Sequence, residues 1–145
     1  MDIKTKMKIH TPVKNVIEAI VDPSKILHFW FSSSSDRWEQ GKTITLQYKE
    51  YSTMDIPIPI ISIIENQKIV YTWGEGENQT EVSLSLIQEE EGITVLEVVE
   101  SGFRDDDPQL IQKLLDQKEG WVYMITCLKA YLENGVHTLR GSLIH

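Results

Sequence analysis

The first ten residues, MDIKTKMKIH, set Ile3, Thr5, Met7 and Ile9 on one face and Lys4, Lys6 and Lys8 on the other. That period of two predicts a half-buried strand. The period then changes. Val13, Val16, Ile17 and Ile20 recur at helical spacing up to Asp22, and Thr11-Pro12 in front of them predicts Thr11 as N-cap with proline in the first helical position. Asp22-Pro23 repeats the signal, so PSKILHFWF is expected to form a second, short helix rich in apolar bulk, placed as a lid or plug.

From Lys42 to Ser101 strand patterns follow one another without a helical interruption, which predicts an antiparallel meander in place of βαβ units. Ile44, Leu46 and Tyr48 share a face, as do Ile69, Tyr71 and Trp73, and then Val82, Leu84 and Leu86 opposite Ser83 and Ser85. In MDIPIPIISII the two prolines cannot donate to a neighbouring ladder, so this strand is expected at an edge or with a bulge. TVLEVVES is ambiguous, and we expect Leu96, Val98 and Glu100 to face inward. Residues 108–133 then carry Leu110, Ile111, Leu114, Leu115, Trp121, Val122, Ile125, Leu128 and Leu132, read as one apolar stripe of a long helix that Asn134-Gly135 stops. The order is strand, two short helices, several antiparallel strands and one long helix: an α+β protein with a curved antiparallel sheet of about six strands packed on that helix.

A length of 145 residues suits a single domain spanning 1–145, and 41% hydrophobic with 25% charged residues is an ordinary globular composition. The amino terminus alternates where a signal peptide needs a continuous apolar run. No run approaches the roughly 20 residues of a membrane span, so membrane insertion is not expected and a cytoplasmic location is. The single cysteine, Cys127, excludes an internal disulfide and agrees with a reducing compartment. A net charge of -8 with 14 scattered Lys and Arg argues against nucleic acid and anionic membrane partners. The acidic runs at 89–91 and 105–107 lack the ligand spacing of a calcium loop. We read the first as a hairpin turn ending at Gly92 and assign Asp107, before Pro108, to a helix cap.

Candidate chemistry is sparse. His10, His28, His137 and His145 form no metal pattern with one another or with carboxylates, and no GxSxG or glycine-rich phosphate loop is present, so no metal or cofactor is implied. His28, beside Phe29 and Trp30, is expected to be a half-exposed lid residue and not a general base. Glu100 is the more informative polar residue: inward among Leu96 and Val98 it needs donors, outward it is a solvated carboxylate. Trp30, Trp38, Tyr48, Tyr71, Trp73, Phe103 and Trp121 read as core or as the wall of an apolar ligand site, to which Glu100, Tyr48, Tyr71 and Tyr123 would add polar groups.

Four segments, AIVDPSKILHFWF (19–31), YTW (71–73), SGF (101–103) and GWVYMITCLKAYLENG (120–135), resemble the START-like (SRPBCC) helix-grip superfamily. Within it they are most similar to the branch resembling the carboxyl-terminal domain of the activator of the ninety-kilodalton heat-shock protein's ATPase. The resemblance departs at Glu100, a position often histidine in relatives. It implies a helix-grip fold whose long helix closes a cavity against the sheet. The expected function is non-enzymatic binding of a small apolar ligand (a lipid, polyketide or similar). Trp30, Tyr48, Tyr71, Trp73, Glu100, Phe103, Gly120, Trp121 and Met124 are the candidate ligand-binding residues. The alternatives are an interaction module for a heat-shock chaperone, for which a separate amino-terminal chaperone-binding domain is not seen, or a cavity-based cyclase or hydrolase. Oligomeric state is left open. Gly120, inside the long helix, has two readings. It permits close packing of helix on sheet, the expected one, or it leaves room for a bound molecule.

Overall fold

The alternation of the first residues becomes β1 (Ile3–Ile9), with Ile3, Thr5 and Ile9 buried and the lysines exposed. The computed structural model describes residues 1–144; His145 lies outside them. After β1 come α1 (Val13–Val21), α2 (Pro23–Ile26), β2 (Ser33–Ser34), β3 (Thr43–Gln47), β4 (Ile56–Ile64), β5 (Lys68–Trp73), a 3-10 turn at Gly76–Asn78, β6 (Thr80–Glu90), β7 (Ile93–Ser101) and α3 (Leu110–Asn134). The strands form one antiparallel sheet in the order β1-β7-β6-β5-β4-β3-β2. It has seven strands where the hydrophobic pattern predicts about six. The addition is β2, two serines paired with Leu46 and Gln47, too short and too polar to leave a periodic signal.

The local signals are met unevenly. Asp22 caps α2 as expected, its carboxylate accepting from the Ser24 amide at 2.9 Å. Thr11 does not cap α1. Pro12 occupies the N-cap, and the Thr11 hydroxyl instead accepts from the Asn15 side chain at 2.9 Å. The second helix is four residues long, shorter than PSKILHFWF, because Phe29, Trp30 and Phe31 are drawn out of helical register into the core, where each is buried. They plug the sheet as a loop. Asp107 caps a turn and not the first turn of α3: its side chain accepts from the Gln109 amide at 2.8 Å, and the helix begins at Leu110 with Gln109 as N-cap. Gly135 ends α3 in the left-handed region (φ 68°), its amide and that of Val136 satisfying the Tyr131 and Ala130 carbonyls.

β4 is bulged between Ile60 and Ser62, but it is not an edge. Residues Ile56–Pro59 pair only with β3, and pairing with β5 starts at Ile60. The Ile60 amide donates to the Lys42 carbonyl at 2.8 Å, so by alternation Pro57 and Pro59 turn their missing donors to the other side, where no β5 partner stands. The prolines thus mark where the sheet divides and curls.

The concave face of the sheet and α3 enclose one core, in which Trp121, Met124, Ile125 and Leu128 join Ile69, Tyr71, Val82, Leu84, Leu86, Leu96 and Val98. Glu100 does face inward with Leu96 and Val98. The single apolar stripe expected of α3 divides in two. Leu114, Trp121, Ile125, Leu128 and Leu132 turn to the core, whereas Ile111 (74% exposed), Leu115 (60%) and Val122 (41%) face outward.

Candidate functional site

In the first half of α3, a polar row runs beside the core-facing Leu114 and Trp121. Gln112, Asp116, Glu119, Gly120 and Tyr123 follow at spacings of three and four, one helical face. That face borders a cavity of about 670 Å³, whose other walls are Phe29, Trp30 and Phe31 from the loop after α2, Tyr48 and Tyr51 beyond β3, and Tyr71 and Trp73 on β5. Trp121 and Met124 close it from the helix.

Gly120 borders this space, and a Cβ built there would meet nothing within 4 Å. Close helix-to-sheet packing, the expected reason for the glycine, is therefore not the one realised. The missing side chain adds to the cavity.

Of the nine candidate residues, Trp30, Tyr48, Tyr71, Trp73, Gly120, Trp121 and Met124 stand on the wall of the large cavity. Glu100 and Phe103 do not. They line a smaller recess of about 220 Å³ that shares Trp73, Asp116 and Gln117 with the large one. Glu100 is 1% exposed and accepts from three neutral donors: Thr80 Oγ1 at 2.6 Å, Gln117 Nε2 at 2.9 Å and Trp121 Nε1 at 2.9 Å. Those bonds are what allow a carboxyl group in the interior. Burial pushes the Tyr71 hydroxyl well above the usual phenol range, and the Glu100 charge adds to the effect. Tyr48 is pushed up to about 12, mainly by burial, with Tyr51 adding and Arg140 opposing. Both phenols remain neutral at ordinary pH and offer a hydroxyl, not a base.

The far side of the cavity is closed by the segment that follows α3. Arg140 donates to both Glu50 oxygens at 2.7 Å and to the Trp30 carbonyl at 3.0 Å, while its guanidinium lies 5.4 Å from the Tyr48 ring centre. Tyr51 and Tyr123 donate at 2.6 Å to the Leu143 and Leu139 carbonyls. Arg140, Leu143 and Ile144 therefore act as a strap along the wall. Sequence reasoning missed this strap and the polar row of α3. The row had a signal, the 112, 116, 119, 123 spacing; the strap's partners Glu50 and Tyr51 are about 90 residues away in the chain and left none.

His28 stacks on Tyr131 and His137, with ring centres 5.2 and 5.7 Å apart, half-buried and outside the cavity wall. Cys127 is buried on α3, and burial raises its thiol above the ordinary range. Among the described residues no group of three or more His, Cys, Asp or Glu is placed to hold a metal ion, and no helix is long and apolar enough to cross a membrane.

A family model described as activator of Hsp90 ATPase homolog 1-like protein matches residues 10–133. The solved structure of the protein SSP2350 from Staphylococcus saprophyticus is 50% identical, covers 94% of this chain and 95% of that one, and superposes with a TM-score of 0.81. DynU16, a putative protein of the dynemicin biosynthetic locus, is 20% identical with a TM-score of 0.80; the match covers 97% of this chain but 50% of that one. The Aha1 dimer from Colwellia psychrerythraea is 17% identical over 93% of this chain and 98% of that one, with a TM-score of 0.80. No curated protein matches the chain by sequence.

Proposed function

For a chain that belongs to the START-like family of activator of Hsp90 ATPase homolog 1-like proteins, we propose a role as a binding protein that holds a small apolar ligand between α3 and the concave sheet. The observation that carries this reading is the unfilled space beside Gly120, within an aromatic-walled cavity of about 670 Å³. That volume lies in the range of ligand pockets, roughly 300–1,000 Å³, and a glycine inside a helix weakens it by about 1 kcal/mol, a cost that vacant space alone does not offset. Binding without transformation fits the site: the phenols of the wall are held neutral, and the buried carboxyl group of Glu100 in the adjoining recess already accepts three hydrogen bonds.

Titration with the neutral fluorescent probe N-phenyl-1-naphthylamine tests the reading. The wild type is expected to bind it saturably with one-to-one stoichiometry, and Gly120→Leu, which fills the space, to lose that binding while remaining folded. Absence of saturable binding by the wild type, or equal binding by the variant, overturns the proposal. The competing role in chaperone activation rests on the family's description alone. It predicts saturable stimulation of a heat-shock chaperone's ATPase, and we expect none.

A further inference from the structure

We propose that the ligand is an apolar amine, its aromatic or aliphatic body in the large cavity and its ammonium group at the wall shared with the Glu100 recess. The inference rests on the binding role proposed above and adds the charge of the ligand, which that role leaves open.

It starts from how the charges along the two walls are used. Every cation there among the described residues is already ion-paired. Arg140 is held by both oxygens of Glu50, Arg104 by Glu77 and Asp106, and Lys113 by Asp107. The acids are not all paired. Glu100 has only neutral donors, Asp116 accepts only from the Gln112 amide at 2.8 Å, and Glu119 forms no ion pair among the described residues. Glu100 and Asp116 line the recess, and Asp116 and Glu119 line the large cavity. Among the described residues, the space therefore offers three carboxyl groups and no unpaired cation to match them.

Such a site discriminates by sign. A ligand carboxylate would lose its hydration and meet uncompensated negative charge with no free guanidinium or ammonium to receive it, which excludes fatty acids and similar anions. A ligand ammonium at the shared wall would replace the Gln117 amide beside Glu100 and bring an opposite charge to a carboxylate that otherwise has only neutral donors. Trp73, which lines both spaces, and Trp121, which lines the large one, are aromatic partners for a cation there. The protein's net charge of -8 draws cations toward the opening as well.

Three probes with one ring system and different charge test this by isothermal titration calorimetry at pH 7: 2-(1-naphthyl)ethylamine, 2-(1-naphthyl)ethanol and 1-naphthylacetate. The expected order of affinity is amine, alcohol, acid, with the amine ahead of the alcohol by roughly tenfold. Glu100→Gln is expected to lower the amine's affinity far more than the alcohol's and so to remove most of that preference. Asp116→Asn, a substitution at an exposed helix position that does not threaten folding, is expected to reduce the preference by about threefold. An alcohol that binds as well as the amine, or a preference that survives both substitutions, overturns the ammonium assignment and leaves the apolar-cavity reading standing. Failure of all three probes to bind overturns both.

Discussion

The indole nitrogen of Trp121 donates to the Glu100 carboxyl group at 2.9 Å inside the core, joining the middle of α3 to β7. The bond explains how an acid lies on the strand face that otherwise holds Leu96 and Val98. Trp121→Phe retains the aromatic packing but deletes the donor. We expect it to cost about 1–3 kcal/mol, the range for leaving a buried polar group short of a partner. Glu100→Gln in the same background should recover part of the loss, because an amide oxygen needs the donor less than a carboxylate does. Urea denaturation of the single and double variants measures this, and strictly additive losses would show that the two residues do not interact.

Gly120→Ala adds a methyl group where nothing stands within 4 Å, in the middle of a helix. The helix gains propensity and the unfolded chain loses freedom, so stability should rise by about 0.4–1 kcal/mol. For a chain of this length that is a Tm increase of roughly 1–4 °C. A lower Tm in a differential scanning experiment would mean that the helix packs closely there after all.

Leu128→Ala and Leu115→Ala should differ sharply although both leucines belong to α3. Leu128 is fully buried, and its truncation is expected to cost about 2–5 kcal/mol. Leu115 is 60% exposed, and its truncation should stay within about 0.5 kcal/mol. Equal losses in denaturant titrations would contradict the division of the helix into a core face and an outer face.

The strap should weaken in acid. Hydrogen bonding to Arg140 holds the Glu50 carboxyl down at about 2, against an ordinary value near 4.5, with burial opposing. A carboxyl whose folded value is depressed contributes its full stabilisation above its unfolded value, and the contribution is lost as pH falls toward the folded one. The Glu50 contribution is therefore complete above about pH 5 and falls away between roughly pH 4.5 and 2. Glu50→Gln should show a shallower decline of stability in that window and little difference in slope above it. Parallel curves for the two proteins across the window would remove the pair from the account.

The sequence by itself determined the elements and their order, because hydrophobic periodicity is local. The switch from the period of Ile3, Thr5 and Ile9 to that of Val13, Val16 and Ile20 marks β1 and α1 without reference to any partner. The two prolines of β4 likewise announce a break in a ladder, and Gly135 a helix end. What only the tertiary structure decided depends on which surfaces meet. Ile111 and Leu115 obey the same helical period as Leu114 and Trp121, yet only the latter two meet the core; the exposed Gln112, Asp116 and Glu119 border the cavity, and Ile111 and Leu115 look out. Gly120 reads identically in a tight interface and beside a void; the distance from an absent Cβ to its nearest neighbour separates the two, and that distance is set by the curl of the whole sheet. The alternation of β7 favoured Glu100 inward, but the Trp121 donor that meets it there and the pairing of Arg140 with Glu50 bring together residues apart in the chain, which no local pattern encodes.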